Sequence, residues 1–375
     1  MHGPILQIIY RDPIEDFEGM LVIDSLVDGL AGGGLRVTKS VSLTEVTRLA
    51  KGMTLKNRMM GLPLGGGKSA ICYDPTSPGL EDALVRFFEH VGPICSKMYG
   101  WGPDMNTPPD LCDAVAKRAG LKSRHMALAE SSPYGYEGVD NYNKALRLTK
   151  GPLSITNART AIGVTGAVET GARVYGKASP LRVAIQGFGS VGMGTAYFLA
   201  QRGHQIVGVA DAGGCYTAPD GLDCDALMAA KGDKREIDRT ALSAGIHCGH
   251  RDEIFATKCD VLVLAAGPDA VGTKEVPELN CDMIVEGGNF SVAPEAFEAL
   301  KARSIDVVPD FIASGGAICT VSGIIQLGWD IDPDKLLGEI EGRVSKATEE
   351  VGLEARSKGI TMREAGLLRL PENMR

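Results

Sequence analysis

Residues 181–192, with the sequence LRVAIQGFGSVG, indicate the fold of the second half of this chain. The first six are mostly apolar and predict a buried strand. The next six form a GxGxxG pattern: Gly187, Phe188, Gly189, Ser190, Val191 and Gly192. A helix is predicted over 191–202 and a second strand over 205–210, which runs into Asp211, 24 residues after Gly187. Strand, glycine turn, helix, strand and acid in this order predict a βαβ unit.

Each part of this unit has a physical task in binding a dinucleotide. Gly187 permits the tight turn, Gly189 lets the backbone approach a pyrophosphate, and Gly192 lets the helix pack close to the sheet. The helix N-terminus favours the phosphate charge. A carboxylate at Asp211 can accept hydrogen bonds from ribose hydroxyls and would repel a 2′-phosphate, which favours NAD while leaving NADP open. We therefore expect a bound dinucleotide rather than a purely structural glycine turn.

The pattern around this unit predicts an α/β fold with two domains. A helix near 160–176 and strands over 259–265, 282–286 and 304–308 continue the alternation of a Rossmann-type, doubly wound sheet, so a dinucleotide-binding domain is expected over 149–325. The preceding residues 1–148 predict a mixed α/β domain, which helices within 326–375 would complete. Residues 121–150 are polar and predict an ordered loop or lid.

Bulk properties exclude several classes of protein. The 375 residues carry a formal net charge of −8, which argues against a nucleic-acid-binding surface. The N-terminus lacks the pattern of a signal peptide, and no run approaches the ~18 apolar residues of a membrane span. The nine cysteines show neither CxxC nor zinc-finger spacing, which favours reduced thiols. We expect a cytoplasmic protein without a metal, nucleic-acid or membrane partner.

Residues 51–68, KGMTLKNRMMGLPLGGGK, place two lysines in unusual settings. Lys56 follows Met53 by three residues, on the apolar side of a helix that starts at the capping pattern Ser42–Glu45. Lys68 follows three glycines at the head of a predicted strand. An unpaired buried charge is costly, so each lysine should meet an anion or give up its proton. Small neighbours would clear space for a ligand beside Lys68, and a desolvated lysine can act as a general base.

The run GGGKS also resembles the end of a phosphate-binding P-loop. That motif requires glycine at the position held by Leu62, and it joins a strand to a helix, whereas this segment joins a helix to a strand. We reject this interpretation. Asp104, within GPDMNT, is by itself more typical of a turn or a helix N-cap than of a catalytic acid.

In combination, these segments resemble the glutamate/leucine/phenylalanine/valine dehydrogenase family over roughly residues 20–325. The matching stretches are GGGLR at 32–36, KGMTLKN with GLPLGGGK, GPDMNT, GFGSVG, and the segments 209–223, 285–296 and 308–317. The resemblance implies a substrate domain, partly closed by C-terminal helices, hinged to a Rossmann domain. It also implies a homo-oligomer that interconverts an L-amino acid with its 2-oxo acid and ammonia, using NAD or NADP.

The resemblance assigns roles to matching positions. Lys56 would bind the substrate carboxylate, Lys68 would be the catalytic base, and Asp104 would transfer protons. Cofactor contacts beyond the glycine turn and Asp211 would come from Thr160, Ala265, Ala266 and Asn289. The family commonly has asparagine in the turn after Ala265 and Ala266, where this chain has Asp269.

Substrate choice is expected to depart from glutamate. Glutamate-specific members carry a lysine just before the GGLR step, where this chain has Gly32. The positions expected to line the side-chain pocket are mostly small: Gly32, Gly33, Met53, Gly102, Ala317 and Thr320. This favours a bulky, hydrophobic or aromatic amino acid, unless Trp101 or residues 125–140 refill the space. The alternatives are another NAD(P)-dependent oxidoreductase of hydroxy acids or imines, and a catalytically silent, NAD-binding regulatory subunit.

Overall fold

A computed structural model describes residues 3–232, 236–327 and 332–370. The chain divides into two compact units. The first contains the described residues of Met1–Lys144, Val321–Ile331 and Leu370–Arg375, and the second contains those of Ala145–Thr320 and Asp332–Arg369. No described helix is both long enough and apolar enough to cross a bilayer.

The first unit is built on a five-stranded mixed sheet. Its elements in chain order are β1 (Leu6–Arg11), β2 (Glu18–Ile23), β3 (Ala31–Thr38), α1 (Leu43–Met59), β4 (Gly65–Cys72), α2 (Leu80–Met98), β5 (Tyr99–Pro103), α3 (Pro109–Arg118), α4 (Met126–Ser131) and α5 (Gly135–Arg147), with a π-helical turn at Gly323–Leu327. The last three residues of α5 are counted in the second unit. The strand order is β1-β2-β4-β3-β5. Strand β3 runs parallel to both β4 and β5, whereas β1–β2 and β2–β4 are antiparallel pairs.

Helix α1 begins where the capping pattern predicts. The Ser42 Oγ accepts a hydrogen bond from the Glu45 backbone N–H at 3.2 Å. The reciprocal half of a capping box is replaced, because the Glu45 carboxylate accepts a bond from Arg36. The helix lies directly on β4: a Cβ added to Gly66 would be 2.2 Å from the Thr54 backbone nitrogen. That glycine serves close helix–strand packing, so at Gly66 the expectation that the glycine run clears space for a ligand is wrong.

The polar segment 121–150 forms helices α4 and α5 rather than the predicted loop or lid. Its buried face consists of apolar residues at helical spacing, including Val139, Tyr142 and Leu146. The prediction of a loop was wrong because some of the polar residues in this segment are buried rather than exposed. Arg124 is only 1% exposed, and its Nε donates to Asp113 at 2.6 Å.

The second unit is built on a seven-stranded sheet. Its elements are β6 (Thr149–Lys150), β7 (Leu153–Ser154), α6 (Ile155–Val174), β8 (Arg182–Gln186), α7 (Ser190–Gln201), β9 (Gln205–Ala210), β10 (Cys215–Thr217), α8 (Cys224–Lys231), β11 (His247–Gly249), β12 (Val261–Leu264), β13 (Met283–Glu286), α9 (Phe297–Ala302), β14 (Asp306–Val308), α10 (Asp310–Ala313), α11 (Gly316–Cys319), α12 (Pro333–Lys358) and α13 (Met362–Leu368). The sheet order is β11-β10-β9-β8-β12-β13-β14. Strands β9, β8, β12, β13 and β14 are parallel, and the antiparallel β10 and β11 extend one edge.

These features confirm the predicted α/β class with a Rossmann-type sheet. Strand β9 has the predicted bounds, and β8 and α7 agree with prediction to within one residue. Helix α6 starts five residues earlier than expected, because Ser154 is its N-cap and accepts a hydrogen bond from the Asn157 backbone N–H at 3.4 Å.

The C-terminal helices group differently from the sequence-based division. Helix α12 packs on α6 in the second unit, whereas the sequence suggested that helices within 326–375 complete the first domain. Small residues on α6 explain the close approach: a Cβ at Gly163 would be 3.2 Å from Val344 Cγ2. Arg202, at the end of α7, contacts both Glu169 of α6 and Glu341 of α12 and so reinforces this packing.

Candidate active site

The register of the first sheet brings Lys68 and Asp104 together across β3. Lys68 lies in β4, and Asp104 directly follows β5, on opposite sides of β3. Gly34 of β3 pairs with Gly102 of β5 and has no side chain to fill the space above it. A Cβ at Gly34 would lie 3.1 Å from both Lys68 Nζ and Asp104 Cβ. The absence of that atom therefore lets the two flanking side chains meet.

Asp104 contacts two cations in this arrangement. Lys68 Nζ lies 2.6 Å from Asp104 Oδ2, and Arg36 Nε lies 3.2 Å from the same oxygen. Burial alone would raise the pKa of the Asp104 carboxyl, but the charges of Lys68 and Arg36 outweigh burial and lower it to about 2. Arg36 belongs to the matched GGGLR stretch, yet the sequence assigned it no role.

The turn after β5 fixes the position of Asp104. Its backbone N–H donates to Thr107 Oγ1 at 2.9 Å, and that hydroxyl donates to the Leu35 carbonyl at 2.6 Å. Asn106, with a left-handed φ of 62°, donates through Nδ2 to the Val37 carbonyl. The N-cap of α3 is Pro108, so the Asp104 side chain does not cap that helix. The turn is docked on β3, and the carboxylate is left to face Lys68.

Lys56 is a buried residue of α1, as its helical position predicted. It is 8% exposed, and the next residue, Asn57, is fully buried. Asn57 Nδ2 donates to the Gly65 carbonyl at 2.6 Å and would lie 3.9 Å from a Cβ at Gly32. The C-terminal end of α1 therefore lies against the glycine-rich first residues of β3 and β4. Lys68 belongs to the same strand as Gly65, three residues further on.

The expected pocket residues of the first unit divide between the two faces of the sheet. Strand alternation places Gly32 and Gly34 on the face that carries Lys68. Gly33 points the other way, where a Cβ would be 1.8 Å from the Gly67 carbonyl oxygen. Trp101 also lies on that opposite face, stacked on Phe88 with ring centroids 4.1 Å apart.

Two other first-unit predictions concern the face that carries Lys68. A Cβ at Gly102 would have no neighbour closer than 3.9 Å, and Met53 of α1 is half-buried. Trp101 is packed in the core and therefore does not refill this space.

The second unit carries a groove of about 1190 Å³ along the glycine fingerprint. Gly187 has a left-handed φ of 96°, and a Cβ there would be 2.6 Å from the Ala265 carbonyl carbon. A Cβ at Gly192 would be 1.8 Å from the Gly187 carbonyl oxygen, whereas Gly189 faces open space. Helix α7 starts after Gly189 without a side-chain cap. Gly187 and Gly192 therefore have no room for a side chain and Gly189 has open space beside it, as the GxGxxG pattern predicts.

Most predicted cofactor residues line this groove, and some do not. The lining residues among them are Gly187, Phe188, Gly189, Ser190, Asp211, Ala265 and Ala266. Val191, Gly192, Thr160 and Asn289 are not part of the lining. The groove also includes residues that the sequence did not indicate: Asn157, Lys231, Arg251 and Lys274. Asp269, in the place of the family asparagine, lines it with a left-handed φ of 50°, a conformation that asparagine and aspartate tolerate.

Asp211 is engaged by backbone N–H groups. Its Oδ1 accepts bonds from Gly213 and Gly214 at 2.8 and 3.1 Å, and its Oδ2 accepts one from Ile237 at 2.6 Å. The residue is 8% exposed. Asp211 therefore orders the turn after β9 in addition to lining the groove.

The remaining predicted pocket residues, Ala317 and Thr320, belong to the second unit. Thr320 is fully buried, and its hydroxyl donates to the Ala317 carbonyl at 2.6 Å and accepts a bond from Arg159 Nη1 at 3.3 Å. Arg159 Nε is buried without a partner among the described residues. Arg159 directly precedes Thr160 on α6 and was not indicated by the sequence.

The cysteines are free thiols, as expected, and burial raises the pKa of several of them, including Cys112 to about 11. In the part of the chain that the structure describes, no group of three or more His, Cys, Asp or Glu side chains is arranged to hold a metal ion.

Comparison with known proteins places both units in one family. A family model described as Glutamate/Leucine/Phenylalanine/Valine dehydrogenase matches residues 151–368. A second, described as Glu/Leu/Phe/Val dehydrogenase, dimerisation domain, matches residues 8–118. Together the two models cover most of the chain.

Individual relatives agree. The chain is 31% identical over 298 residues to an NADP-specific glutamate dehydrogenase of Saccharolobus shibatae, covering 76% of this chain and 65% of that protein's length. It is 31% identical over 316 residues to an NAD-specific glutamate dehydrogenase of Staphylococcus aureus, covering 82% and 72%. A solved hetero-hexameric glutamate dehydrogenase of Thermus thermophilus, in a Leu-bound form, superposes with a TM-score of 0.75 at 25% identity, covering 97% of this chain and 86% of that one.

The fold is shared more widely. An L-tryptophan dehydrogenase of Nostoc punctiforme superposes with a TM-score of 0.65 at 17% identity, covering 98% of this chain and 94% of that one. By both of its units, the chain belongs to the glutamate/leucine/phenylalanine/valine dehydrogenase family.

Proposed function

We propose that this protein catalyses the reversible oxidative deamination of an L-amino acid. The amino acid, water and the oxidised dinucleotide would give the 2-oxo acid, ammonium, the reduced dinucleotide and a proton. The observation that carries the proposal is the 2.6 Å contact of Lys68 with Asp104, two groups suited to proton transfer. An oxidoreductase of hydroxy acids would not need this pair together with the buried Lys56.

The groove in the second unit fits a nicotinamide dinucleotide. Gly189 leaves open space beside the uncapped start of α7, where backbone N–H groups favour a pyrophosphate. Gly187, Ser190 and Asp211 would hold the bound molecule, which would supply the hydride acceptor for the substrate Cα. We propose NAD as the preferred form because Asp211 would repel a 2′-phosphate. Lys231, Arg251 and Lys274 also line the groove, so the assay compares both forms.

Three side chains of the first unit would act on the substrate. Lys56 would bind the α-carboxylate through its ammonium group. Once hydride has left Cα, Lys68 would take a proton from the water that attacks the iminium carbon. Asp104 would then transfer a proton to the departing nitrogen, so that ammonia leaves and the 2-oxo acid forms. The Asp104 carboxylate is ionised at neutral pH and can also accept the proton that the substrate ammonium loses beforehand.

We further propose a bulky hydrophobic or aromatic substrate rather than glutamate. Gly32 stands where glutamate-specific members carry a lysine, and among the described residues the polar atom nearest to a Cβ there is the uncharged Asn57 Nδ2, at 3.9 Å. Gly102 leaves space on the same face, and Trp101 is stacked in the core on the opposite side.

The decisive experiment is a substrate panel followed by NADH or NADPH absorbance, with and without ammonium. The panel contains Leu, Val, Phe, Trp and Glu, each with NAD and with NADP. We expect the highest kcat/KM for Phe, Trp or Leu with NAD, and a 2-oxo acid reaction that requires ammonium. A clear preference for Val or Glu would contradict the substrate assignment. Turnover of 2-oxo acids without ammonium would indicate a hydroxy-acid enzyme, and no turnover would favour the silent subunit.

Replacing Lys68 tests the mechanism directly. Lys68→Ala removes the proposed base and should lower kcat by at least about a hundredfold. Full activity of this variant would disprove the proposed mechanism.

We also propose that the protein is a homo-oligomer. Strand β1 is an edge of its sheet, and Ile9 within it is 52% exposed, which is unusual for an edge that faces solvent. Ile5, just before it, is 60% exposed. Light scattering coupled to size-exclusion chromatography should give a mass that is a multiple of 39.6 kDa, and a monomer at micromolar concentration would contradict the proposal.

A further inference from the structure

The two carboxylate oxygens of Asp104 have unequal surroundings. Both cations, Lys68 Nζ and Arg36 Nε, contact Oδ2, at 2.6 and 3.2 Å. No side chain or backbone group of residues 3–232, 236–327 and 332–370 donates to Oδ1. The Asp104 side chain is 20% exposed, so this second oxygen can be reached from outside. The carboxylate is therefore anchored through one oxygen and open at the other.

Arg36 is built to hold this orientation. Its side chain is only 11% exposed, and its planar guanidinium bridges two acids: Nε contacts Asp104, and Nη1 donates to Glu45 Oε1 at 2.9 Å. Glu45 lies in the first turn of α1, whose start is fixed by the Ser42 N-cap. Because a guanidinium is flat and rigid, its contact with Oδ2 fixes the direction of the Asp104 carboxylate, and the 42% exposed Glu45 side chain only supports its other end.

We propose that Arg36 is a positioning residue of the active site, which anchors Asp104 through Oδ2 so that Oδ1 is the oxygen that exchanges protons with the substrate nitrogen. Arg36 itself touches no reacting atom. Its charge is permanent, so the anchor persists even when Lys68 gives up its proton to act as a base. A lysine at position 36 would keep the charge but lose the fixed geometry. The proposed role rests on the deamination function above.

Among the ionisable groups near the Asp104 carboxylate, Arg36 is the cation that stays charged and in contact throughout the proposed reaction. Lys68 on β4 changes its protonation during the proposed reaction. Glu45 on α1 faces Arg36 and not Asp104. Burial raises the pKa of Tyr99 on β5, so its hydroxyl stays neutral. In the proposed mechanism, Lys56 on α1 binds the substrate carboxylate.

The test replaces the anchor and follows Asp104 itself. In Arg36→Gln, we expect kcat to fall by about 10- to 100-fold while the KM for the amino acid changes less than threefold. Carbon-13 NMR of aspartate-labelled protein, with the Asp104 signal assigned through Asp104→Asn, should show the carboxyl titrating at least one pH unit higher than in the wild type. Arg36→Lys should restore most of the titration shift but only part of kcat.

Arg86→Gln is the matched control. Arg86 holds Asp12, another buried carboxylate of the same unit, so its loss should lower thermal stability without altering Asp104 titration or kcat. A folded Arg36→Gln protein with wild-type kcat and wild-type Asp104 titration would overturn the inference. The NMR titration needs no turnover, so it decides the role of Arg36 in holding Asp104 even if the deamination function is wrong.

Discussion

Asp12 and Asp104 are two carboxylates of the same unit that each bind an arginine, but they differ in how many of their oxygens are hydrogen-bonded. Asp12 has no accessible side-chain surface, and both its oxygens are occupied: Oδ2 by Tyr10 and Arg86, Oδ1 by two backbone N–H groups and Arg86 again. Asp104 keeps one oxygen open and is 20% exposed.

Charge alone does not distinguish the two sites. At both, burial works to raise the carboxyl pKa and is outweighed by bound donors, so Asp12 and Asp104 both titrate below the usual range. The difference lies in the unused hydrogen-bonding capacity. A saturated carboxylate can only hold its neighbours, whereas a half-saturated one can also accept a proton from a ligand. Free capacity at an otherwise anchored acid is therefore the better indication of function.

The largest expected effect separates the two acids by activity. Asp104→Asn removes the proton-transfer group and should lower kcat by about 10³-fold. Asp12→Asn should leave the kcat per folded molecule within about twofold. Steady-state kinetics with active-site titration measures both. Equal losses of kcat in the two variants would mean that an unbonded carboxylate oxygen does not distinguish the catalytic acid from the structural one.

The next effect concerns the stability that Asp12 supplies. Asp12→Asn removes the fully buried carboxylate that Arg86 Nε contacts at 2.7 Å, leaves Arg86 with only Glu15 as an acidic partner, and should cost about 3 kcal/mol of unfolding free energy. Because the folded pKa of Asp12 is depressed, its stabilisation is complete above the unfolded value of about 3.9 and is lost as pH falls below it. Urea unfolding at pH 7 and pH 3.5 should therefore show a smaller gap between wild type and variant at the lower pH. A gap independent of pH would contradict the ionic origin.

Sequence patterns within a short stretch of chain predicted most helices and strands of the fold. The contacts they did not predict join residues that are far apart in the sequence. The glycine fingerprint and strand β9 were predictable because strand, turn and helix signals lie within about 30 adjacent residues. Arg36 and Asp104 are 68 residues apart and meet only through the register of β3 with β5. The sequence predicted helices within 326–375, but only the small residues of α6 decide which surface α12 covers.

The glycine between Lys68 and Asp104 offers a subtler way to disturb the open acid. Gly34→Ala places a methyl group 3.1 Å from Lys68 Nζ, so the 2.6 Å contact must lengthen or shift. We expect kcat to fall by about tenfold, because a displacement of less than an ångström at reacting groups is costly. Gly92→Ala, on α2 of the same unit, is the control, since its nearest neighbour would be 3.7 Å away in ordinary contact. Similar losses in both variants would point to general destabilisation instead.

The smallest effect should come from the far end of the Arg36 bridge. Glu45→Gln keeps an acceptor for Arg36 Nη1 but removes a charge, and the Glu45 side chain is 42% exposed. Ion pairs with that much solvent contribute at most about 1 kcal/mol, so kcat/KM should stay within about fivefold of wild type. A larger loss would mean that the exposed acid, rather than Asp104, fixes the guanidinium. In that case the direction in which Asp104 Oδ1 points would be set by the start of α1, and Ser42→Ala, which removes the N-cap, should reproduce the loss.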